Sequence, residues 1–317
     1  MTTVAVIIVT WNSAHLVEGV LQALAVQTLQ PARTLLVDNG SDDVAVLASI
    51  VARFPGCELL RQCYNSGFAA ANNVGIWHCE DVEFVALLNP DAFAEPNWLA
   101  ALVAAAQQYP RAAAFGSRLL DHADPTRLDG AGDYLTVAGK PGRRGHGQSA
   151  EGRFLLGEEV FAPCAAAALY RRPALTAVGG FDEQFFCYVE DIDLAFRLLL
   201  GGYGSRYVPD SVVRHMGSAL TGRRSEFSVY HGQRNLIFNY VKNMPRVLFW
   251  LFLGPHLLLN IAYLLAASLA GSGPTVWRAK RDALRQLPAV WAQRRKIQSM
   301  RRVSTWRILK LLKYSLW

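Results

Sequence analysis

Short apolar runs rich in β-branched residues alternate with helical segments through the first 117 residues of this 317-residue chain. The run Val4–Thr10 is apolar at nearly every position, as expected of a strand that is buried on both faces. Further strands are predicted at residues 34–37, 58–60, 84–88 and 112–115, with helices at 42–53, 67–78 and 97–108. Another helix is expected after Asn12 or Ser13, with Leu16, Val20 and Leu24 on one face. Strands that alternate with helices form a doubly wound, mostly parallel sheet. The sequence therefore predicts an α/β fold.

Polar residues follow three of these predicted strands, namely Asn12, the pair Asp38 and Asn39, and the tripeptide Asn89-Pro90-Asp91. In open parallel sheets, ligands bind beyond the carboxyl ends of the strands. A carboxylate in such a turn suits a hard divalent cation that two substrate phosphates also bind. Asp in a turn after a strand is nevertheless common in proteins without a metal. These positions are the first candidates for a functional site.

The second half has a weaker β–α pattern. We expect strands at 165–170, 206–208 and 212–215, a turn at 179–182, and helices at 192–200 and 226–243. Residues 139–147 contain four glycines, and an ordinary solvated loop is as good an interpretation as a substrate lid. Glu190, Asp191 and Asp193 begin a helix, where carboxylates either stabilise the helix N-terminus or supply a general base.

Two further features are compatible with a site at these strand ends. His215 ends a predicted strand; a lone histidine is more often structural, but a neutral imidazole could share a cation with Asp91. Asn65 and Gly67 precede a helix rich in small residues, where backbone N–H groups could approach a phosphate or sugar. The alternative is close packing of small side chains.

Residues 247–270 form an apolar segment without charge. A helix of this length, at about 1.5 Å per residue, could cross a hydrocarbon core of roughly 30 Å. Pro255 is expected to kink or split it, and basic residues flank it on both sides, which disfavours a single crossing. We therefore expect a re-entrant hairpin or two short interfacial helices. The alternative is a buried terminal helix pair of a soluble protein.

The net charge of +7 is unevenly distributed along the chain. Residues 271–317 contain 12 Lys and Arg but one acid, Asp282, so the rest of the chain carries a net −4. A nucleic-acid-binding protein would carry positive charge on its folded body, so we expect no nucleic acid partner. The basic tail instead predicts contact with an anionic membrane surface. Its last 14 residues have the pattern of an in-plane amphipathic helix, with Trp306, Ile308, Leu309, Leu312, Leu316 and Trp317 as apolar positions.

Five cysteines, at positions 57, 63, 79, 164 and 187, form no CxxC pair. Neither a disulfide framework nor a zinc site is indicated, and free thiols in a reducing cytosol are expected. The N-terminal residues lack the cationic segment and the long apolar run of a signal peptide.

Seven motifs occur in a fixed order between residues 4 and 245. They are VIIVTWNS (6–13), LLVDNGSDD (35–43), YNSGFAAANNVGI (64–76), LLNPDA (87–92), GGFDEQFFCYVEDIDLAFR (179–197), RHMGS (214–218) and RNLIFNYVKNMP (234–245). Together they resemble the family-2 inverting glycosyltransferases, most closely the bacterial rhamnosyltransferase-like members. The resemblance implies a GT-A fold, a mostly parallel sheet flanked by helices, here followed by membrane-associated helices.

The resemblance also implies roles for individual residues. Asp191 would be the base that deprotonates the acceptor hydroxyl, with Glu190 beside it, and Asp91 and His215 would hold Mg²⁺ or Mn²⁺. Many members have two acids where this chain has Asn89 and Asp91, so one carboxylate of that motif is missing. The nucleotide-sugar site would comprise Thr10, Asn12, Asp38, Asn39, Asn65, Gly67 and Asn89, and the acceptor side Gly180, Phe181 and Asp182.

The implied reaction transfers a sugar from a nucleotide-diphosphate donor to a hydroxyl of a lipid-linked or glycan acceptor, with inversion, in cell-envelope glycan synthesis. L-Rhamnose from dTDP-L-rhamnose is the first choice. Galactofuranose or mannose, or an inactive membrane-associated nucleotide-sugar-binding protein, are the alternatives. We expect a catalytic domain at 1–245, with a nucleotide-binding half at 1–117 and an acceptor-binding half at 118–245. A tail at 246–317 would hold the protein at the cytoplasmic face of the inner membrane, peripherally or by re-entry.

Overall fold

The computed structural model describes residues 2–217 and 225–315. Ser218, the last residue of the RHMGS motif, and Leu316 and Trp317 of the terminal segment lie outside the described residues. The first half alternates strands and helices as predicted. Its elements are β1 (Val4–Thr10), α1 (Ala14–Ala25), β2 (Arg33–Asp38), α2 (Val44–Val51), β3 (Cys57–Arg61), α3 (Phe68–His78), β4 (Phe84–Leu88), β5 (Ala92–Ala94) and α4 (Trp98–Gln108).

The second half is richer in short strands. Its elements are β6 (Ala112–Asp121), β7 (Leu128–Gly130), β8 (Asp133–Leu135), β9 (Pro141–Arg143), β10 (Glu158–Val160), β11 (Ala167–Arg171), α5 (Arg172–Val178), α6 (Glu190–Leu200) and β12 (Gly204–His215). The remaining helices are α7 (Glu226–Asn243), α8 (Arg246–Leu269), α9 (Gly273–Ser299) and α10 (Thr305–Leu311).

One large sheet organises the fold, in the order β10-β12-β6-β11-β4-β1-β2-β3. Strands β3, β2, β1 and β4 are parallel, whereas β11 runs antiparallel between β4 and β6. Because β1 and β4 are parallel neighbours, their carboxyl ends meet at one edge, where Asp91 follows β4. Two hydrophobic clusters cover the sheet: one packs against α1, α2 and α4, the other against α3, α5 and α6. The predicted α/β class is confirmed.

Two predictions for the second half were wrong. The strands expected at 206–208 and 212–215 are one strand, β12, with an irregular register between Val208 and Val212. The glycine-rich segment 139–147 is an ordered hairpin arm, because β9 pairs antiparallel with β8 and Arg143 faces Asp133. Positive φ angles at Gly139 and Gly145 let the chain turn on either side of this strand.

The apolar segment is one continuous helix, α8, with Pro255 inside it. The prediction of a hairpin or of two short helices was therefore wrong. Pro255 cannot donate to the carbonyl of Leu251, and Leu251 lies on the exposed side of the helix, where this loss costs less than in a packed interior. By length and composition α8 could cross a membrane, and about a fifth of its most apolar window is buried.

The C-terminal residues pack back onto the body. Helix α9 lies along α7, and Ala283, Val290 and Ile297 share a hydrophobic cluster with α6 and α7. Ile308 and Leu312 belong to the same cluster, so the apolar side of this terminal segment faces protein, contrary to the prediction of a lipid-facing helix. The predicted division at residue 245 stays a prediction, although the hydrophobic cluster continues across it.

Two basic residues of the tail are buried. Arg294 donates to the carbonyls of Val241 and Met244, each at 2.6 Å, and Lys280 donates to the carbonyl of Gln233 at 2.9 Å. These cations join α9 to α7. Their side chains therefore stabilise the packing of α9 on the body, whereas the contact of the tail with an anionic membrane stays a prediction.

Candidate active site

A cleft of about 850 Å³ opens at the carboxyl ends of β1 and β4. It runs from the nucleotide side, at Asn39, past Asp91 to the start of α6, and reaches Tyr263 on α8. Four predicted donor residues and one predicted cation ligand line it together: Asn39, Asn65, Gly67, Asn89 and Asp91. Glu190, Asp191 and His215 line it as well. The chain thus brings these residues from five separate segments into one space.

Asn39 is the centre of the nucleotide side. Its Nδ2 donates to Asn65 Oδ1 at 3.0 Å, and its Oδ1 accepts from the amide and the hydroxyl of Ser66 at 2.9 and 3.0 Å. Asn65 Oδ1 also accepts from the amide of Gly67 at 2.9 Å. Gly67 has φ +90°, and a Cβ there would lie 2.7 Å from Phe186, so glycine permits the close approach of the two walls.

Thr10, Asn12 and Asp38 lie behind or beside this wall. Thr10 and Asp38 are buried at the ends of their strands, and Asp38 Oδ1 accepts from the amide of Ser41. Asn12 has φ +49°, and its Oδ1 accepts from the amide of Asp42 at 2.8 Å. None of the three is among the cleft-lining side chains, so their contact with a nucleotide stays a prediction.

Asp91 and His215 form the cation side of the cleft. The turn after β4 places Asp91 against the end of β12, with Oδ1 3.4 Å from His215 Nε2. That oxygen is buried without a hydrogen bond in the described part of the chain. On its other side, His215 Nδ1 lies 2.8 Å from Asp129 Oδ2. A carboxylate behind a histidine, with a second carboxylate in front, is the donor set that a divalent cation uses, so these residues fit Mg²⁺ or Mn²⁺.

Neighbouring charges shift the pKa values of the residues on the cation side of the cleft. Burial of the imidazole lowers the pKa of His215, but the bond to Asp129 and the proximity of Asp91 outweigh burial and raise the pKa to about 9. Burial raises the pKa of Asp129, yet His215 and Arg143 bring it down to about 2. The raised pKa keeps a proton on His215 when no cation is bound, so a cation at Nε2 would have to displace that proton.

Arg143 connects the cation side with the base side. Its Nη1 donates to Asp129 Oδ2 at 2.7 Å, its Nη2 to Cys164 Sγ at 3.0 Å, and its Nε lies 3.7 Å from Asp133 Oδ1. Asp133, Cys164 and Asp191 offer ligand atoms within 4.8 Å of one another. The guanidinium of Arg143 already contacts two of these three groups, and the cation position at Asp91 and His215 stays a prediction.

The base candidates stand at the N-terminus of α6. Asp191 is half-buried, and its Oδ1 accepts from the amide of Ile192 at 2.8 Å. Glu190 is buried with Oε2 lacking a hydrogen bond among the described residues. Burial, and then the charge of Asp191, raise the pKa of Glu190 well above its usual value. Burial also raises the pKa of Asp191, while the bond from Ile192 opposes the rise. Since the rise is the greater one for Glu190, burial favours its protonated form, and Asp191 stays the predicted base.

The loop before Glu190 has an unusual backbone. Phe186, Tyr188 and Val189 have φ of 64°, 69° and 69°, in the left-handed region that side chains disfavour. Asn235 of α7 holds this loop, because its Nδ2 donates to the carbonyls of Phe185, Cys187 and Tyr188 at 2.7–2.9 Å. Such strain persists only where the surroundings fix the backbone, and here a buried amide does so.

The acceptor-side prediction needs correction. Gly180, Phe181 and Asp182 do not line the cleft. Phe181 belongs to the core under the sheet, and Asp182 Oδ2 lies 2.5 Å from Lys242 Nζ. Gly180 has φ +67°, and a Cβ there would lie 2.5 Å from Asn73. These residues support the turn into the loop rather than an acceptor.

The sequence did not indicate Asp129, Asp133, Arg143 or Asn235 as site residues. The first three lie on strands of three residues each, β7, β8 and β9, which give no periodic signal. Asn235 lies in the motif RNLIFNYVKNMP. The polar pair Arg234 and Asn235, placed directly before apolar residues of a predicted helix, was the available signal in the sequence.

Comparison with known proteins gives a family. The profile described as glycosyl transferase family 2 matches residues 5–179. The N-acetylglucosaminyl-diphospho-decaprenol L-rhamnosyltransferase of Mycobacterium tuberculosis is 32% identical over 255 residues, covering 71% of this chain and 80% of the relative. The O-antigen chain rhamnosyltransferase RfbN of Salmonella typhimurium is 27% identical over 229 residues, covering 72% of this chain and 70% of the relative.

Two solved structures share the fold. GalNAc-T7 with UDP, GalNAc and Mn²⁺ superposes with a TM-score of 0.64 at 15% identity, covering 78% of this chain and 49% of that chain. A mannosyltransferase from Pyrobaculum calidifontis in complex with GDP-Man and Mn²⁺ superposes with a TM-score of 0.57 at 20% identity, covering 94% and 85%. At these identities the likeness shows the GT-A fold alone, as predicted, and both solved structures contain Mn²⁺ with a nucleotide or nucleotide sugar.

Proposed function

Because the chain belongs to glycosyl transferase family 2, we propose that it transfers L-rhamnose from dTDP-L-rhamnose to a hydroxyl of a lipid-linked or polysaccharide acceptor in cell-envelope glycan synthesis. The observation that carries the proposal is the single cleft that Asp91, His215 and Asp191 share. The rhamnosyltransferase relatives support the sugar and the class of acceptor. The family and the complete constellation oppose an inactive binding protein.

The donor would lie along the carboxyl ends of β1 and β4. Asn39 and Asn65 would contact the nucleoside, with Thr10, Asn12 and Asp38 supporting their turns, and Asn89 and Gly67 would border the diphosphate. A divalent cation held by Asp91 and His215 would neutralise the charge that develops on the departing diphosphate. Since Asn89 replaces a carboxylate, the described pocket offers the cation one acid and one imidazole in direct reach.

Asp191 would act as the general base. It faces the cleft at the positive end of the α6 dipole, which favours its ionised form. As the acceptor oxygen bonds to the anomeric carbon from the side opposite the leaving group, Asp191 takes its proton, and the nucleoside diphosphate leaves with the bonding electrons. One displacement inverts the configuration. Glu190, protonated and buried beside Asp191, would fix the position of the helix start.

The acceptor would be presented at a membrane. The cleft extends to Leu236 on α7 and Tyr263 on α8, and the opposite side of α8 exposes apolar residues. We place the protein at the cytoplasmic face of the inner membrane, against an anionic surface, with 1–245 as the catalytic unit and 246–317 as the membrane-contacting unit. Helix α8 would lie in the plane of the interface, because its other side is packed on the body.

A donor screen tests the proposed function. The melting temperature of the full chain would be measured with a panel of nucleotide sugars, with and without Mn²⁺. We expect dTDP-L-rhamnose with Mn²⁺ to stabilise the protein most, since binding to the native state alone raises its stability. The Asp91→Asn variant serves as the matched control and should lose the Mn²⁺-dependent part. Stabilisation by a GDP- or UDP-sugar instead would contradict the choice of donor.

A further inference from the structure

A second concavity lies between the start of α8 and the end of α9. It encloses about 480 Å³ and shares no lining residue with the catalytic cleft. Four arginines and two tryptophans dominate its walls, which we call the arginine groove: Arg246, Arg294, Arg295, Arg301, Trp250 and Trp291. No acidic residue is among those that line it.

Among the described residues, no carboxylate pairs with the arginines of the arginine groove. Within residues 2–217 and 225–315, no carboxylate lies within 4.0 Å of Arg246, Arg294, Arg295 or Arg301. By contrast, Arg278, Arg281 and Arg285 of the same helix α9 each contact an acid. Like charges crowded together repel one another. An unneutralised cluster that lines a concavity is therefore suited to an anion from outside the chain.

The groove is held in shape from within. Arg294 is buried, its Nη1 donates to two carbonyls at the end of α7, and its guanidinium lies 4.9 Å from the ring centre of Phe249 and 5.3 Å from that of Trp291. Arg246, Arg295 and Arg301 are exposed around it. The buried Arg294 thus forms the floor of the groove, and three exposed guanidinium groups lie at its rim.

An apolar face begins at the edge of the groove. Trp250 lines the groove and is 63% exposed. Val247, Leu251, Leu258 and Leu265 follow one another at helical spacing and are all exposed. Residues that recur every three to four positions share one side of a helix, so an apolar strip runs along α8 from the arginine groove.

We propose that the arginine groove binds the phosphate of an anionic phospholipid, whose acyl chains lie along the exposed face of α8. Arginine presents paired N–H donors that match phosphate oxygens, and tryptophan prefers the headgroup level. A free phosphate has the same oxygens but no acyl chain to cover the apolar strip, so the ligand that fits both features is a lipid. The proposal rests on the proposed membrane contact and makes it a discrete site rather than a diffuse attraction.

The test compares two double variants of the full chain that remove the same charge. Arg246→Gln with Arg295→Gln changes the groove, and Arg281→Gln with Arg285→Gln changes exposed arginines of α9 outside it. Binding is measured by flotation with phosphatidylcholine vesicles containing phosphatidylglycerol. General attraction accounts for about a thirtyfold loss of affinity from two charges, and we expect about a hundredfold loss for the groove variant because its bonds to phosphate are direct.

The outcomes separate the groove from the membrane contact. If wild type binds the vesicles and both double variants lose affinity equally, the groove proposal is overturned while membrane contact stands. If wild type does not bind, the proposed membrane contact itself fails, and the groove with it. Inorganic phosphate at millimolar concentration is added as a competitor; full release of wild type by it, but not by matched sodium chloride, would overturn the choice of a lipid. Transfer to a soluble acceptor should be equal in all three proteins.

Discussion

Replacing Asn235 by leucine should separate catalysis from donor binding. The side chain of Asn235 is fully buried and donates to three carbonyls of the loop that precedes the base Asp191. Leucine has a similar volume but cannot donate. The variant therefore leaves buried carbonyls unpaired next to three residues with left-handed backbone, Phe186, Tyr188 and Val189.

The expected magnitude follows from these contacts. Each buried polar group left without a partner costs about 1–3 kcal/mol, and the amide supplies two hydrogens, so the direct loss is about 2–6 kcal/mol. Relaxation of the strained loop, at about 1–3 kcal/mol for each residue, returns part of that. We expect the free energy of unfolding to fall by roughly 2–3 kcal/mol. Because a displacement of about 1 Å costs on the order of a hundredfold in rate, kcat should fall by about that factor.

The assay measures urea unfolding, kcat and Mn²⁺-dependent donor binding on the same preparation. Donor binding should change little, since Asp91 lies in the turn after β4 and His215 at the end of β12, both outside the loop. Gln27→Leu is the matched control: Gln27 is a buried amide that donates to the carbonyls of Ala23 and Glu95, away from the cleft. It should lose stability without losing kcat. Wild-type turnover by Asn235→Leu would refute the reasoning.

Three further results are expected. Asp129→Asn should weaken Mn²⁺ binding about 10- to 100-fold, because Asp129 orients the imidazole of His215; calorimetric titration measures it, and an unchanged affinity would remove Asp129 from the cation site. Lys242→Met should lower the free energy of unfolding by about 3–5 kcal/mol, because it leaves the buried carboxylate of Asp193 without the ammonium at 2.6 Å; a loss below 1 kcal/mol would contradict the ion pair. Burial raises the pKa of Asp193, but Arg197 and Lys242 hold that pKa below its ordinary value of 3.8. The stability that the ionised Asp193 contributes is therefore complete above pH 3.8 and is lost as the pH falls through the lower native pKa. Acid unfolding of Lys242→Met that is as steep as that of wild type would contradict the role of Lys242 in lowering this pKa.

The sheet and the cation residues were accessible to sequence reasoning for a physical reason. Buried parallel strands are continuous apolar runs, so the bounds of β1 and β4 could be predicted. The rule that ligands bind at carboxyl ends then directed attention to Asp91. Its proximity to His215 depended on the family resemblance, because 124 positions separate the two residues in the chain.

The supporting residues could not be predicted from local pattern. Asp129 reaches His215 across 86 positions, and Arg143 lies in a glycine-rich segment with the composition of a loop. Their positions depend on pairing between short strands that gain stability from tertiary contacts alone. The terminal segment shows the same limit, since the periodicity of Ile308 and Leu312 predicts an apolar face but not whether lipid or protein covers it.

The most direct test of the central claim is transfer by Asp191→Asn. The assay supplies dTDP-L-rhamnose, Mn²⁺ and a synthetic N-acetylglucosaminyl diphospholipid, and reads the product and its anomeric configuration by NMR. Wild type should form a product of inverted configuration, whereas Asp191→Asn should bind the donor with nearly unchanged affinity and form no product above background. Turnover by Asp191→Asn at a rate close to that of wild type, or a product of retained configuration, would contradict the account.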